Sequence, residues 1–328
     1  MDGVEISLLP LDIHHTIKLT KQGIIVPLEL LPKQTIQGDV LTAAGGKRCR
    51  IIYMENSLKG GHGIVRFAKR GSVDVCVKTS HTTYYNSVSE AIIQWLANYL
   101  LSSSAISGAV PCIYDIFQYA GEVRFSMEYI KGVSAFQKVL DSTTPDVTFL
   151  QILAQTSLIL GFLEETLHLD HRDLKADNIW IRDTPINYAL QLGGSKWRIV
   201  CPFQVVLLDF GFACIGAGDG NAEINLSDGI LPKIDPCPKK GRDLFQFIAS
   251  LWSIPRILET LGAPLQKEIA LLLSYRGKSF STLLTKSIQT HWIYLIVSDP
   301  QFSHEPLHPI SLLQFLSIKY CDIGLSTE

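Results

Sequence analysis

Short apolar runs broken by turn residues dominate the first third of the chain. Residues 50–54 (RIIYM), 63–69 and 73–78 (VDVCVK) have the brief, β-branched pattern of an antiparallel sheet. At 87–101 the period changes, and Ile92, Ile93, Leu96 and Leu100 recur at helical spacing. Two more strand-like runs follow near 112–118 and 123–129. From about residue 132 helical spacing prevails, and Leu150–Leu167 is apolar enough for a buried helix. Strand patterns return at 179–182 and 197–208, with an inserted hairpin around Tyr188–Lys196 whose Gly193 and Gly194 suit a turn. Residues 212–242 are rich in Gly and Pro, have little periodicity and read as a long loop. Residues 243–328 read as helices. Residues 1–48 mix short apolar runs with Pro10, Pro27, Pro32 and a Gly45-Gly46 break, and read as an extension of short strands and loops. The expectation is an α+β chain: a small antiparallel β-rich lobe with one helix, then a larger helical lobe.

Composition narrows the class. Of 328 residues, 47% are apolar and 18% charged, which argues against disorder or a coiled coil as the main architecture. The 29 basic and 31 acidic residues leave a net charge of -2, so bulk charge gives no sign of a nucleic-acid partner. The seven cysteines (Cys49, Cys76, Cys112, Cys201, Cys214, Cys237 and Cys321) are odd in number and widely spaced, with no C-x-x-C pair. Neither a zinc site nor a disulfide framework is expected, and dispersed reduced thiols suit an intracellular compartment. The start, MDGVEISLLP, carries two acids rather than the basic opening of a secretory signal. Apolar stretches such as Val205–Leu208 and Ile269–Leu273 are too short for the ~20 residues of a membrane span. These features predict a protein inside the cell, cytoplasmic or nuclear, without a membrane partner. A monomer is the expected state.

Two segments carry chemistry: His171-Arg172-Asp173-Leu174-Lys175-Ala176-Asp177-Asn178, and Asp209-Phe210-Gly211 after the apolar run Val205–Leu208. Phosphoryl transfer from a nucleotide needs alignment and charge neutralisation more than covalent help. One carboxylate must orient the attacking hydroxyl and take its proton. A second carboxylate and an amide oxygen suit Mg²⁺, a hard ion that prefers oxygen. A lysine near the γ-phosphate can stabilise shifting charge. Asp173, Asp209, Asn178 and Lys175 supply that set.

In this order along the chain, the segments resemble those of the eukaryotic-type Ser/Thr protein kinases. The resemblance covers roughly residues 50–250 and implies a bilobal kinase fold with ATP between the lobes. It divides the chain into an extension over 1–48, an N-lobe and hinge over 49–130, and a C-lobe over 131–328. It makes Asp173 the catalytic base, Lys175 the phosphate-contacting lysine, and Asn178 and Asp209 the Mg²⁺ ligands. Gly60-Gly61-His62-Gly63 resembles the Gly-rich loop, with Gly60 and Gly63 at its second and third glycines and Leu58 in place of the first. Val65 and Cys76 would cover the adenine, with Trp180 beneath it. Lys78, thirteen residues after Val65, resembles the lysine that holds the α- and β-phosphates. Glu90 is the one acid between Lys78 and Asp115 and so its expected partner. Met127-Glu128-Tyr129-Ile130 resembles the hinge, with Met127 behind the adenine edge and the backbones of Glu128 and Ile130 along it. Asp243 resembles the buried aspartate that braces the catalytic loop. The implied substrate is a protein with a Ser or Thr acceptor. The alternatives are a pseudokinase scaffold and a small-molecule kinase on the same fold.

The sequence departs from the family in several places. No Ala-Pro-Glu follows the DFG, a loss shared with compact atypical kinases such as the haspin group. Segment 212–242 has no Thr or Tyr, and its one hydroxyl is Ser227. It does carry Asp219, Glu223, Asp228 and Asp235, so a carboxylate is expected to pair with Arg172 in place of a phosphorylated residue. Gln94 stands where the family has an apolar residue stacking toward Phe210, with Trp95 as a candidate replacement. Trp180 is larger than the usual pocket floor, and either stacks on a base or crowds it.

Overall fold

The computed structural model describes residues 18–20, 23–25, 28–60, 63–80, 84–104, 106–216, 222–225, 235–279 and 291–327. A short hairpin of β1 (Lys18–Thr20) and β2 (Gly23–Ile25) comes first. Two further strands, β3 (Lys33–Gln34) and β4 (Asp39–Leu41), lead into the long β5 (Lys47–Lys59), β6 (Gly63–Arg70) and β7 (Val73–Ser80). Helix α1 (Tyr84–Ser103) follows, then β8 (Ile113–Tyr119) and β9 (Glu122–Glu128). The seven strands from β3 onward close into a barrel in the order β3-β4-β5-β6-β7-β9-β8. This corrects the expectation of a plain antiparallel sheet. The closing seam is a parallel bridge, Lys33 opposite Gln118, supported by Gln118 N–H donating to the Pro32 carbonyl at 2.7 Å. Residues 33–48 supply two barrel strands and the start of a third. The sequence hid this because strands of two and three residues show no readable alternation.

Inside the barrel, Val40, Ile51, Ala68, Val75, Val77 and Phe117 form a small dry core. Val75 and Val77, two apart on β7, point to the same face of the sheet. Helix α1 packs on β7, β8 and β9 through Ala91, Ile92, Leu96 and Leu101. That contact fixes Glu90 above the sheet.

The chain leaves β9 through residues 129–132 and enters β10 (Val133–Ser134). Gly132 lies against β12: a Cβ there would meet the Ile181 carbonyl oxygen at 2.1 Å, so no side chain fits. Helix α2 (Ala135–Leu140) starts with the Ser134 hydroxyl accepting from the Gln137 N–H. Helix α3 (Pro145–Leu167) is the spine of the larger lobe, with fifteen buried positions from Thr148 to Leu167. It is long and apolar enough to cross a membrane, unlike the shorter stretches singled out in the sequence, and 78% of that apolar window is buried in the lobe.

Beyond α3 residues 171–178 are bracketed by short strands: β11 (Leu169–Asp170) before them, β12 (Ile179–Arg182) after them. The inserted hairpin forms as β13 (Ile186–Leu192) and β14 (Ser195–Cys201), joined by Gly193 and Gly194 and extended by the C-terminal β18 (Leu325–Thr327). Strand β15 (Gln204–Leu207) pairs with β12. Within the span read as a long loop, β16 (Cys214–Gly216) and β17 (Ala222–Asn225) pair with each other, and β16 pairs with β11. Helices α4 (Arg242–Trp252), α5 (Pro255–Thr260), α6 (Ala263–Leu272), α7 (His291–Val297) and α8 (Pro309–Lys319) complete the large lobe.

Candidate active site

The antiparallel pairing of β12 with β15 sets Ile179 opposite Leu207, and the Leu208 N–H donates to the Asn178 carbonyl at 2.8 Å. Asn178 and Asp209 therefore stand at adjoining strand ends, 31 positions apart in the chain. From the smaller lobe, Lys78 on β7 reaches them. Its ammonium donates to Glu90 Oε1 at 2.5 Å and to Asp209 Oδ1 at 2.6 Å. Three segments of the chain converge on this nitrogen.

Charge explains why they stay together. Burial alone would discharge Lys78, but Glu90 and Asp209 outweigh it and hold the ammonium charged. Burial would likewise raise Asp209, yet Lys78 overrides it and lowers the carboxyl to about 2. Its side chain is 42% exposed, so the ionised group faces the gap between the lobes. Glu90 differs: burial dominates, Lys78 opposes it, and the carboxyl is raised to about 7.

The loop over residues 171–178 hangs from α4. Asp243 Oδ2 accepts the His171 N–H at 2.7 Å and Oδ1 accepts the Arg172 N–H at 2.8 Å. Gln246 Nε2 donates to the Arg172 carbonyl and Ser250 Oγ accepts the Ala176 N–H. The sequence assigned Asp243 this bracing role, and the geometry places it there. His171 Nε2 lies 2.9 Å from the Leu208 carbonyl, and its ring sits 4.9 Å from that of Phe210. Burial lowers the His171 pKa, which keeps the imidazole neutral. Arg172 and Asp209 both adopt a φ of 65°, uncommon for residues with a Cβ and concentrated where a fold holds a functional shape.

Asp173 is nearly buried. Lys175 Nζ donates to its Oδ2 at 2.8 Å, and Asn178 Nδ2 donates to the same oxygen at 3.1 Å and to the Asp173 carbonyl at 2.7 Å. With its nitrogen committed to Asp173, the Asn178 amide keeps its oxygen as an acceptor or metal ligand. The Tyr294 hydroxyl, on α7, donates to Asp173 Oδ1. Nothing in the sequence marked Tyr294.

The remaining expected residues fall around the interlobe gap. Gly60 N–H donates to the Gly63 carbonyl at 2.9 Å and closes the β5–β6 turn. Gly61 and His62 lie outside the described residues. Leu58 pairs with Val65 in register and is 58% exposed, and Val65 in turn pairs with Lys78. Cys76 is opposite Met127, and burial raises its thiol to about 11. Glu128 N–H is used by the Cys112 carbonyl, and its carboxylate accepts from Arg182 at 2.7 Å. The Ile130 N–H has no acceptor among the described residues. Trp180 shares a strand face with Arg182, the face that turns to the hinge, while Ile179 and Ile181 are buried on the other. Its indole donates to the Asp177 carbonyl.

Three features correct or extend the sequence reading. Gln94 is buried, and its amide donates to the Pro111 carbonyl at 3.0 Å beside Met127 Sδ, so a polar group is satisfied where an apolar one was expected. Trp95 stacks on Tyr99, with ring centroids 5.3 Å apart. Cys214 and Cys237 form a disulfide, contrary to the expectation of reduced thiols throughout. Strand pairing of β16 with β11 brings Cys214 back beside residues 235–239, a proximity that spacing alone cannot reveal.

Around that disulfide lies a buried ion network. Arg172 and Asp235 meet at 2.8 Å, Arg242 reaches Asp235 at 2.7 Å and also pairs with Asp170, and Lys239 pairs with Asp235. Burial opposes the Asp235 charge, but Arg242 and Arg172 prevail and lower its pKa. Burial, with Arg242 beside it, lowers Arg172 to about 10. Among the described residues, Asp235 is a carboxylate that pairs with Arg172. Asp219 and Asp228 lie outside the described residues, as do Ser227 and the side chain of Glu223.

No family model and no curated protein matches the chain. Among solved structures, the crystal structure of a kinase domain is 18% identical, with 58% of this chain and 57% of that one covered and a TM-score of 0.35. The chain thus spans little more than half of that structure, and so loose an overlay carries no weight beside the geometry.

Proposed function

We propose that the chain is a Mg²⁺-dependent phosphotransferase of the protein-kinase type, which moves the γ-phosphate of ATP to Ser or Thr hydroxyls of a protein. The carrying observation is Lys78, buried and charged, which holds Glu90 and also Asp209, the latter 131 positions away in sequence. A buried cation held by two carboxylates beside a base is a device for anions that shift charge, and phosphoryl transfer is that reaction.

The residues divide the work. Lys78 is positioned for the nucleotide phosphates, with Glu90 holding it there. The Ile130 N–H and the Glu128 carbonyl present a donor and an acceptor to a base edge, and Cys76, Val65 and Trp180 supply apolar walls. In this reading Asp173 accepts the proton of an attacking hydroxyl, and Lys175, 2.8 Å from it, offsets negative charge on the migrating group. The donor set of Asp209 carboxylate and Asn178 amide oxygen is all oxygen, which fits Mg²⁺ and not a thiol-seeking metal. When bound there, Mg²⁺ would neutralise phosphate charge. The preference for Ser or Thr over Tyr rests on Lys175 by resemblance alone.

The test is transfer of labelled phosphate from ATP with Mg²⁺ to a mixture of Ser- and Thr-containing proteins, with Asp173→Asn as control. Labelled phosphoserine or phosphothreonine, lost in the variant, is the expected result. Folded protein that neither binds ATP nor transfers phosphate would reject this reading in favour of a scaffold. ATP turnover that responds only to a small-molecule acceptor would reject the protein substrate.

A further inference from the structure

The acceptor seat of this site is already filled by the chain itself. An incoming hydroxyl must come within hydrogen-bond reach of Asp173 for its proton to be taken. One carboxylate oxygen, Oδ2, is used by Lys175 and Asn178. The other, Oδ1, accepts the hydroxyl of Tyr294. A substrate serine would have to make the contact that Tyr294 makes.

The position of Tyr294 is set by packing. On α7, Ile293 and Val297 are buried at i, i+4 spacing, whereas Leu295 is 73% exposed. The buried face rests on α4, the same helix that carries Asp243, Gln246 and Ser250 beneath the catalytic loop. One shared support thus sets both Tyr294 and Asp173. The far end of α7 is tied down by Lys239, whose ammonium donates to the carbonyls of Val297 and Asp299, each at 3.0 Å. Lys239 also pairs with Asp235, the partner of Arg172. The seat occupant is therefore fastened to the same buried charges that hold the catalytic loop.

We propose that Tyr294 is an internal plug: its hydroxyl occupies the acceptor position on Asp173, and a protein acceptor enters only when α7 withdraws. This rests on the phosphotransfer reading above. A phenol reaches much farther from its backbone than a serine hydroxyl, so in a seat for Ser or Thr it holds the base without being in line for transfer. A competitor that fills the seat raises the apparent KM of the acceptor by the inverse of the fraction of open molecules, and leaves ATP untouched.

The experiment compares wild type, Tyr294→Phe and Tyr294→Ala with a Ser/Thr peptide mixture, varying peptide and ATP separately. Tyr294→Phe removes the bond to Asp173 and keeps the ring, and Tyr294→Ala removes both. The expected result is a peptide KM lower by about 10-fold or more in Tyr294→Ala, a smaller drop in Tyr294→Phe, and an unchanged KM for ATP. Simple loosening of the fold would not tighten acceptor binding, so it cannot mimic this. Peptide KM values equal in all three proteins would overturn the plug, and so would phosphate found on Tyr294 after incubation with ATP and Mg²⁺. Failure of all three proteins to transfer phosphate to any acceptor would remove the phosphotransfer reading, and the plug with it.

Discussion

The Arg172 guanidinium and the Asp235 carboxylate meet at 2.8 Å with both side chains fully withdrawn from water. This pair joins the loop over residues 171–178 to the segment that follows Asp209. Three cations (Arg172, Lys239 and Arg242) face Asp235, and Arg242 also pairs with Asp170. Burial of such charges is tolerated only when each is paired.

Asp235→Ala should therefore be severely destabilising. It leaves three buried cations around an empty position, and breaking one partner of a buried pair costs about 3–5 kcal/mol. Chemical denaturation of the purified variant measures this. A loss within about 0.5 kcal/mol, the usual range for a surface change, would contradict the network. Ser227→Ala, by contrast, should retain nearly full phosphotransfer, because Asp235 already supplies the charge opposite Arg172.

The Cys214–Cys237 disulfide closes a 23-residue span after Asp209. A cross-link over such a span restricts the unfolded chain by about 3 kcal/mol. Cys214→Ser together with Cys237→Ser should lower the unfolding free energy by about that amount, and a reducing agent should do the same to wild type but not to the double variant. Equal sensitivity of both proteins to reductant would place the effect at other cysteines.

Glu90 gives a pH signature. Burial raises its carboxyl from 4.5 to about 7 against the pull of Lys78. Between those values the folded chain keeps a proton that the unfolded chain has released. The stability contributed by this group is full below 4.5, falls as pH rises toward about 7, and is constant above it. Glu90→Gln cannot ionise and should lack this slope, which reaches about 1.4 kcal/mol per pH unit. Asp243, also raised to about 7 by burial, is present in both proteins and cancels in the comparison. Denaturant midpoints across this window read the difference. Parallel curves for the two proteins would show that Glu90 is ionised throughout.

Lys78→Met should abolish most transfer, by about 100-fold or more, because it removes the one buried cation of the phosphate site. It also leaves Glu90 and Asp209 without the charge between them, so the Asp209 carboxyl should rise from about 2 toward its ordinary value. Phosphate-transfer rates, alongside a folding check by circular dichroism, separate lost chemistry from lost structure. Full activity in the variant would exclude Lys78 from the phosphate site.

The local elements were legible because their signals are local. The strand runs at 63–69 and 73–78, the helix at 87–101, the buried helix ending at Leu167 and the hairpin turned by Gly193 and Gly194 each announce themselves through period or turn residues. So do the catalytic segment and the Asp209-Phe210-Gly211 run, where chemistry fixes residue types at short spacing. Even the need of Arg172 for a carboxylate could be read from a segment without Thr or Tyr. Which carboxylate serves it could not, since that depends on how β16 folds back on β11. The same long-range pairing made the Cys214–Cys237 disulfide invisible in the spacing of seven scattered cysteines. Closure of the barrel turned on one parallel bridge between Lys33 and Gln118, too short to leave a pattern. Tyr294 reaches Asp173 across 121 positions only because α7 and the catalytic loop rest on one helix. Sequence alone determined the elements and the residue types of the site, because backbone preference and periodic burial act over a few residues. The tertiary structure decided the partners, because contacts between distant segments are chosen by packing and by the pairing of buried charge.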